Sequence, residues 1–418
     1  MNLTERLLVK PNNENYQQIK QACLFSKSLY NEATYLFRKS FFDEELLTWR
    51  QVDKILKYRS KNYNALPAAA AQALLRQMGD NWKSFWEANK DWKINPQKYK
   101  SRPKIASYSK NLKTFLHPFQ SMKCKNGEVI FPKKMNMKNV KIRNGENQII
   151  QEKEARLKQI RFVPHGHCFW IEVIYDNDIN MKHEPIKKKD IKLDSDNVLG
   201  IDLGINNLLT MVTNIDALPP LLYKGKVIKS INQRFNKSKS YYQSKGNAAM
   251  IERLSIKRFC QINDYFHKAS SFVINYCLEN DIGRIIIGKN NGWKQDINIG
   301  RVNNQKFVFI PFEKLISQIE YKAKLVNIQV DINEESYTSK SDALALDILP
   351  VYRKNSTEKY EFLGRRVKRG LYKSSIDKII NADVNGAINI LRKVIGDDFV
   401  KNLINKGFVF NPETISPK

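Results

Sequence analysis

Four carboxylates in the second half of the chain lie within a predicted strand, at the end of another, or at the start of a predicted helix. Asp202 lies in the apolar segment VLGIDLG, Glu334 and Glu335 follow NIQVDIN, and Asp383 opens NADVNG. Carboxylates that meet in a dry site raise one another's pKa unless a cation neutralises them. Mg²⁺ is a hard cation that prefers oxygen ligands and phosphate substrates. Two such ions, roughly 3.5–4 Å apart, can activate a water and stabilise the leaving oxygen of a phosphodiester.

Each of these acids also has a simpler explanation. A strand Asp close to a glycine, as Asp202 is to Gly204, is often a turn or edge residue. Asp383 can owe its place to the dipole of the helix that it opens. Glu334 and Glu335 can be solvated charges at a strand end. Only their combination with the element order and the overall charge favours catalysis over these structural explanations.

The segments from residue 198 to about 395 predict the order β-β-β-α-β-α-β-α. Apolar runs typical of strands are VLGIDLG, LLTMVTN, LLYKGKVI, RIIIG and IQVDINEE, and helical periodicity covers about 228–280, IPFEKLISQIEYKAKLV and INADVNGAINILRKVIG. A basic, irregular insertion, 337–378, precedes the last helix. The order is that of an RNase H-like fold, in which the first strand is central. Acids far apart in sequence can therefore meet at one edge of the sheet.

The N-terminal half predicts a β-rich domain with a helical insertion. Residues 1–10 look like a strand, 11–95 follow helical spacing, and 96–190 carry short alternating segments such as FWIEVIYD. We expect 1–10 and 96–190 to form one domain that the helices interrupt. Residues 191–197 are predicted to link it to the second half, and 396–418 to form a C-terminal tail.

The composition favours a polyanionic partner. The formal net charge is +29 and the pI is near 9.7, so nucleic acid is the expected ligand, with an anionic membrane surface as the rival. No apolar run is long enough to span a membrane, and the N-terminus lacks an apolar leader, which predicts a cytoplasmic protein. The five cysteines form no CxxC pair, which excludes a zinc ribbon. The GxxxxGK[ST] motif is absent, so a nucleotide cofactor is not expected.

Two basic clusters are the predicted nucleic-acid contacts. Between Leu221 and Ser270 there are eleven Lys or Arg residues against two acids, and a second cluster lies in GRRVKRGLYKSS. Such residues neutralise phosphates without regard to sequence. A solvated charged face is the default explanation for any single lysine, but it weakens where acids are this scarce. The residues predicted to bind are Lys224, Lys226, Lys229, Arg234, Lys237, Lys239, Lys257, Arg258, Arg365, Arg366, Lys368 and Arg369.

The second half resembles the RuvC-like nuclease domain of the TnpB family, transposon-encoded RNA-guided DNA nucleases related to type V CRISPR effectors. The segments that carry the resemblance are GIDLGINN, FHKAS, RIIIGKNNGWKQ, EESYTSK and INADVNGAINILRK. The resemblance is specific over 198–395 and looser in the N-terminal half. It implies a β-barrel-like wedge domain interrupted by a helical recognition domain. It also implies a guide RNA from the transposon end, a target DNA with a short adjacent motif, and two Mg²⁺ ions.

In this family three acids bind Mg²⁺, and the resemblance assigns the first and third positions to Asp202 and Asp383. The second acid usually ends the strand that here is RIIIG, where this chain has Gly288. Some family members resemble this chain and supply that acid from the segment matching EESYTSK. We predict Glu335 in that role, with Glu334 as the alternative, because strand alternation sends the two side chains to opposite faces.

A second departure concerns zinc. The family often carries two CxxC pairs in the insertion, whereas residues 336–383 contain no cysteine, so the insertion is predicted to be metal-free. Two other functions stay open. Gly288 is compatible with a nuclease-dead, RNA-guided DNA-binding repressor. A resolvase or transposase that acts without RNA is the other alternative, and copurifying RNA distinguishes it from the guided proteins.

Overall fold

The computed structural model describes residues 1–119, 122–125, 127–141, 156–176, 178, 191–290, 310–352, 358–368 and 370–416. The chain divides into two compact units, Met1–Lys188 and Lys189–Lys418. Each unit has a hydrophobic core of its own residues. The two units are described separately below.

The first unit contains a block of helices between its first and second strands. The helices are α1 (Tyr16–Phe42), α2 (Trp49–Arg59), α3 (Lys61–Ala65) and α4 (Ala68–Ile94). Thr48 and Gln51 form a capping box that starts α2, with each side chain bonded to the other residue's backbone N–H. Pro67 precedes α4 and fixes its start. The predicted aromatic core of this block is present, since Trp82 is buried and stacks on Phe37.

Two separate sheets complete the first unit. The strands are β1 (Asn2–Val9), β2 (Phe115–Pro118), β3 (Lys123–Lys125), β4 (Glu128–Ile130), β5 (Val140–Lys141), β6 (Arg156–His165) and β7 (Cys168–Asp176). The larger sheet has the order β1-β7-β6-β2, and the smaller one the order β3-β4-β5. β1 pairs antiparallel with β7 along its whole length. The helical block therefore interrupts a β structure, whereas the barrel-like wedge stays a prediction.

The second unit is built on a six-stranded mixed sheet. Its strands are β8 (Asp194–Leu203), β9 (Asn207–Thr213), β10 (Leu221–Lys224), β11 (Ile282–Gly288), β12 (Gln329–Asn333) and β16 (Glu413–Ile415). The strands β13 to β15, which form a separate small sheet, are given below. Their order is β12-β11-β8-β9-β10-β16. β8 is parallel to β11 and antiparallel to β9. The first strand of the unit is therefore central, as the sequence predicts.

Five helices belong to the second unit among the residues that the structure describes. They are α5 (Lys226–Ser244), α6 (Ala248–Glu279), α7 (Phe312–Leu325), α8 (Ala382–Ile395) and α9 (Asp398–Lys406). α8 lies against the sheet, because its residues share a buried core with Val198 of β8 and Val212 of β9. A Cβ built on Gly200 would stand 2.6 Å from Leu391 Cγ and 3.1 Å from the Ala387 carbonyl oxygen. The missing side chain lets α8 approach β8 closely.

The structure corrects several sequence-based boundaries. Residues 194–197 belong to β8, so the predicted linker 191–197 is wrong at its C-terminal end. The predicted tail 396–418 contains α9 and β16, which pairs parallel with β10. The segment LLYKGKVI changes from strand to helix at Gly225, and the single helix predicted for 228–280 is two helices. In its described residues the insertion contains β13 (Arg365–Lys368) and β14 (Leu371–Lys373), and β15 (Ile379–Asn381) follows directly after it.

The substitution Gly200→Ala should destabilise the second unit, because the new methyl group meets both a core leucine and a helix carbonyl. We expect the free energy of unfolding to fall by about 1–3 kcal/mol, the usual cost of overpacking a core. Thermal unfolding measures this change. Ser195→Ala, at an exposed position of the same strand, should stay within about 0.5 kcal/mol of the wild type. An unchanged melting temperature for Gly200→Ala would contradict the close packing of α8 on β8.

Candidate active site

Asp202 projects from the central strand towards the first turns of α8. It pairs across the sheet with Thr210 of β9, and a Cβ built on Gly386 of α8 would lie 3.3 Å from Asp202 Oδ2. Burial and, to a smaller extent, the nearby Asp383 charge raise the pKa of Asp202 to about 7, against the opposing effects of Arg366 and of a backbone hydrogen bond from Leu203. Asp202 is therefore held where ionisation is unfavourable without a cation.

Asp383 is positioned by the start of α8. The side chain of Asn381 caps this helix and accepts hydrogen bonds from the backbone N–H groups of Asp383, at 2.9 Å, and Val384. Asn207 Nδ2 donates to Asp383 Oδ2 at 2.8 Å. The guanidinium of Arg366 lies 4.0 Å from Asp383 Oδ1. One carboxylate oxygen is thus oriented by an amide, and the other faces a cation.

Glu335 follows β12 and reaches the space that Gly288 leaves open. A Cβ built on Gly288 would lie 2.8 Å from Glu335 Oε2. The backbone N–H of Glu335 donates to Asn290 Oδ1 at 3.1 Å. Burial and, to a smaller extent, the charges of Asp202 and Glu334 raise the pKa of Glu335 to about 8, against the opposing effect of Lys393. The carboxylate of Glu335 therefore stands beside the position at which RIIIG ends.

Glu334 turns to a different partner. Its Oε2 lies 2.7 Å from Nζ of Lys393, a lysine of α8 that is almost fully buried and also donates to the Ser336 carbonyl oxygen. The two neighbouring glutamates thus separate, one towards Gly288 and one into an ion pair. This separation follows the alternation predicted at a strand end.

The donor chemistry of Asp202, Glu335 and Asp383 fits Mg²⁺, because this cation prefers hard carboxylate oxygens. A cation would also offset the effects that raise the pKa values of Asp202 and Glu335. Across the described residues, however, no group of three or more His, Cys, Asp or Glu side chains is close enough to hold a metal ion. Asp202 interacts electrostatically with each of the other two acids, and the three have not converged on one point.

The first cluster of predicted nucleic-acid contacts, Lys224 to Arg258, lies on three elements of the second unit. Lys224 ends β10, and α5 carries a row of cations, of which Lys226, Arg234, Lys237 and Lys239 are exposed and Lys229 is half-buried. Lys257 of α6 is exposed. Arg258 of α6 differs, because its Nε donates to Asn232 Oδ1 at 2.7 Å and its guanidinium lies over the Phe235 ring. This arginine joins α5 to α6 as well as carrying charge.

The insertion brings part of the second basic cluster to the acids. Arg365, Arg366 and Lys368 are exposed on β13, while Arg369 lies outside the described residues. Of these, Arg366 reaches the acids, 4.0 Å from Asp383. Its position in a basic run of the sequence does not predict this contact. Sequence reasoning also missed Asn207 and Lys393. Asn207 ends the segment GIDLGINN and begins β9, shortly after the strand that carries Asp202. Its place in that segment is the feature of the sequence that could have identified it.

Two family models match the second unit. The model described as a probable transposase, OrfB_IS605, matches residues 179–294, and that described as the Cas12f1-like TNB domain matches residues 312–390. The TnpB-like protein ORF457 of Acidianus two-tailed virus is 25% identical over 458 residues, covering 97% of this chain and 90% of the viral protein.

Solved structures of Cas12f are also similar to this chain. The Cas12f1–sgRNA–target DNA complex is 15% identical with a TM-score of 0.35, and the alignment covers 93% of this chain and 98% of that one. A CRISPR-Cas12f ternary complex is 14% identical with the same TM-score, with 89% and 80% covered. A TM-score at this level is too low to support an inference about the site. No helix among the described residues is long and apolar enough to cross a membrane.

The fold and the site define a two-unit, mixed α/β protein whose carboxylates face one another where a central strand meets a close-packed helix. The chain is similar to the TnpB family, which is related to the type V effectors. The two family models and the viral relative that spans almost its whole length support this similarity.

Replacing Glu335 by Gln should remove a pH-dependent loss of stability. A carboxyl whose pKa is raised on folding, here from 4.5 to about 8, contributes stability that is present below its unfolded value and lost as the pH rises through the folded one. In EDTA, the melting temperature of Glu335→Gln should therefore gain on the wild type as the pH rises across this window. The exposed Glu279→Gln should show a constant difference. A constant difference for Glu335→Gln would contradict its desolvation.

Proposed function

We propose that this protein is an RNA-guided, Mg²⁺-dependent DNA endonuclease of a transposon, which cuts a target next to a short adjacent motif. The proposal rests on one observation above all: Asp202 on the central strand interacts electrostatically with both Glu335 and Asp383. Similarity to the TnpB family supports guided nuclease activity in general. A RuvC-like, RNase H-like assignment of the second unit is consistent with its central first strand and its close-packed last long helix.

In the proposed site, Asp202, Glu335 and Asp383 would hold the ions, which would activate a water and stabilise the leaving oxygen. The chain's other residues prepare this arrangement. Asn207 fixes one oxygen of Asp383 and so limits the rotation of that carboxylate. Lys393 neutralises Glu334, which leaves Glu335 to complete the set. Arg366 carries a planar, permanently charged fork that suits a phosphate oxygen next to Asp383.

The proposed partners are a guide RNA and a target DNA. The exposed cations of α5 form a surface that suits the phosphates of a guide–target duplex, whose geometry rather than sequence the protein would recognise. The cytoplasm is the proposed location, since guide, target and reduced cysteines all belong there.

Two other functions keep specific support. Gly288 occupies the position where the family usually has its second acid, which favours a guided DNA-binding repressor without nuclease activity. The description "probable transposase" of the matched model favours a transposase or resolvase that acts without RNA. RNA that copurifies with the protein and is required for DNA recognition would exclude the second alternative.

The deciding experiment uses the protein co-expressed with RNA from its own transposon end. A plasmid library with the guide-matched target and randomised flanks is incubated with Mg²⁺ or with EDTA. Cutting that requires Mg²⁺ and selects particular flanks supports the guided nuclease. Flank-specific binding without cutting supports the repressor, and cutting without RNA supports the transposase or resolvase.

Asp202→Asn should abolish cutting and retain guided DNA binding, because it removes a charge and preserves the shape of the side chain. We expect a loss of about 10³-fold or more in cleavage rate, as for other groups that stabilise charge in a closed site. Gel shifts on the same target measure binding. Asp377→Asn, at a side chain that is 87% exposed on the insertion, should cut normally. Normal cutting by Asp202→Asn would reject the assigned site.

Glu335 can be tested as a relocated acid by moving it back. Gly288→Glu alone should destabilise the fold, because its Cβ would lie 2.4 Å from Ile390 Cδ1 and 2.8 Å from Glu335 Oε2. Gly288→Glu combined with Glu335→Ala and Ile390→Ala clears both obstacles. We expect this triple variant to recover part of the cutting that the double variant Glu335→Ala/Ile390→Ala loses. If that double variant cuts at the wild-type rate, Glu335 is not the second acid.

A further inference from the structure

An aromatic cluster lies directly after Glu335 and has no part in the site described above. The ring of Tyr337 meets the ring of Tyr360 edge-on with centroids 5.3 Å apart, and that of Phe362 with centroids 6.0 Å apart. Nζ of Lys340 lies over the Tyr337 ring, 6.0 Å from its centroid. All three rings are half-buried, and Lys340 is exposed. We call these four residues the Tyr337 platform.

The backbone of Tyr337 is in an unusual conformation. Its φ is +63°, in the left-handed region that large side chains rarely adopt and that glycine and asparagine tolerate. Non-glycine residues held there cost stability and concentrate at functional sites. The packing of the rings alone does not explain this cost, because a tyrosine in the ordinary region would carry the same apolar surface.

The turn that carries Tyr337 is held firmly from both sides. Across Tyr337, the Thr338 hydroxyl donates to the Glu335 carbonyl oxygen at 2.9 Å. After it, the N–H groups of Lys340 and Ser341 donate to the Tyr337 carbonyl oxygen at 2.9 and 3.0 Å. The hydroxyl of Tyr372 donates to the Lys340 carbonyl oxygen at 2.7 Å. These hydrogen bonds therefore fix the backbone of the turn between Glu335 and Ser341, which carries the Tyr337 ring.

The platform is carried by the turn that follows Glu335. Two residues of extended chain span at most roughly 7 Å, so the backbone of Tyr337 lies within that distance of the backbone of Glu335. Half-buried aromatic rings next to a cation are the surface on which unpaired bases stack, and every base offers such a face. Of the acids nearby, Glu334 pairs with Lys393, and Glu358 accepts a hydrogen bond from the Tyr360 hydroxyl.

We propose that the Tyr337 platform stacks an unpaired base of the DNA strand next to the bond that is cut, and so positions the phosphodiester at Asp202 and Glu335. This inference rests on the proposed nuclease function. Tyr337 acts as a positioning residue, and the ligand is single-stranded DNA at the point where the target strand enters the site.

The test compares Tyr337→Asn with Tyr337→Phe. Asparagine tolerates the left-handed backbone and removes the ring, so its melting temperature should equal or exceed that of the wild type. Its cleavage rate at limiting target should fall by about 5- to 150-fold, which corresponds to the loss of one base stacked on an aromatic ring. Phenylalanine keeps the ring and should cut within a few-fold of the wild type.

A second substrate separates stacking from a merely structural role. After the cut position is mapped with the wild type, an abasic nucleotide is placed at each position on either side. One position should slow the wild type and leave Tyr337→Asn without further loss, because ring and base act through the same contact. Additive losses in Tyr337→Asn, or no sensitive position in the wild type, would overturn the platform.

The two proposals fail in different ways. If the wild type with its guide RNA does not cut at all, the nuclease function fails, whatever Tyr337 does. If the wild type cuts but Tyr337→Asn lowers the melting temperature and Tyr337→Phe is as slow as Tyr337→Asn, the rings only pack the insertion, and the platform alone is rejected.

Discussion

The close approach of α8 to β8 is the constraint on which the second unit depends. Gly200 admits Leu391 and the Ala387 carbonyl oxygen to the surface of the strand, and Gly386 places the helix within van der Waals distance of Asp202 Oδ2. A side chain at Gly200 would push the helix outwards and carry Asp383 away with it, whereas a side chain at Gly386 would require the Asp202 carboxylate to shift by a few tenths of an ångström. The close approach of Asp202 and Asp383 therefore depends on both glycines. Burial of Asp202 is a consequence of this packing, which is why its pKa rises mainly through desolvation.

Buried acids at close range need positive charge, and the chain supplies it unequally. Lys393 forms its ion pair with Glu334, and Arg366, on an exposed strand of the insertion, lies 4.0 Å from Asp383. Lys393 and Arg366 oppose the rise in the pKa values of Glu335 and Asp202, respectively, without cancelling it. Asp202 and Glu335 keep raised pKa values because neither cation is close enough to offset burial and mutual repulsion. The site is therefore electrostatically incomplete in the protein alone. This is the property expected of a centre that gains a metal cation together with a polyanionic substrate.

The sequence predicts the central strand, the order of the long elements and the neighbourhood of Asp202 and Asp383, because these depend on strongly apolar segments. It does not predict the insertion's strands, since β13 is exposed along its whole length and has no alternating pattern. β8 begins within DSDN, where polar residues look like a linker, and β16 is too short to recognise. The approach of Arg366 to Asp383 depends on how the insertion folds back, which spacing along the chain does not reveal.

A hydrogen-bond network explains how the insertion can hold its shape where the sequence has no cysteines. Asp342 is fully buried, and its carboxylate accepts from the N–H groups of Leu344 and Ala345 and from Ser374 and Ser375. Asn385 and Asn389 of α8 donate to the Ser341 carbonyl oxygen beside it. A buried carboxylate satisfied this fully fixes one geometry, because any displacement leaves a charge without donors. The helix that begins with Asp383 thus also anchors the segment that carries Glu335 and Tyr337. A change in the insertion would therefore reach the acids through α8.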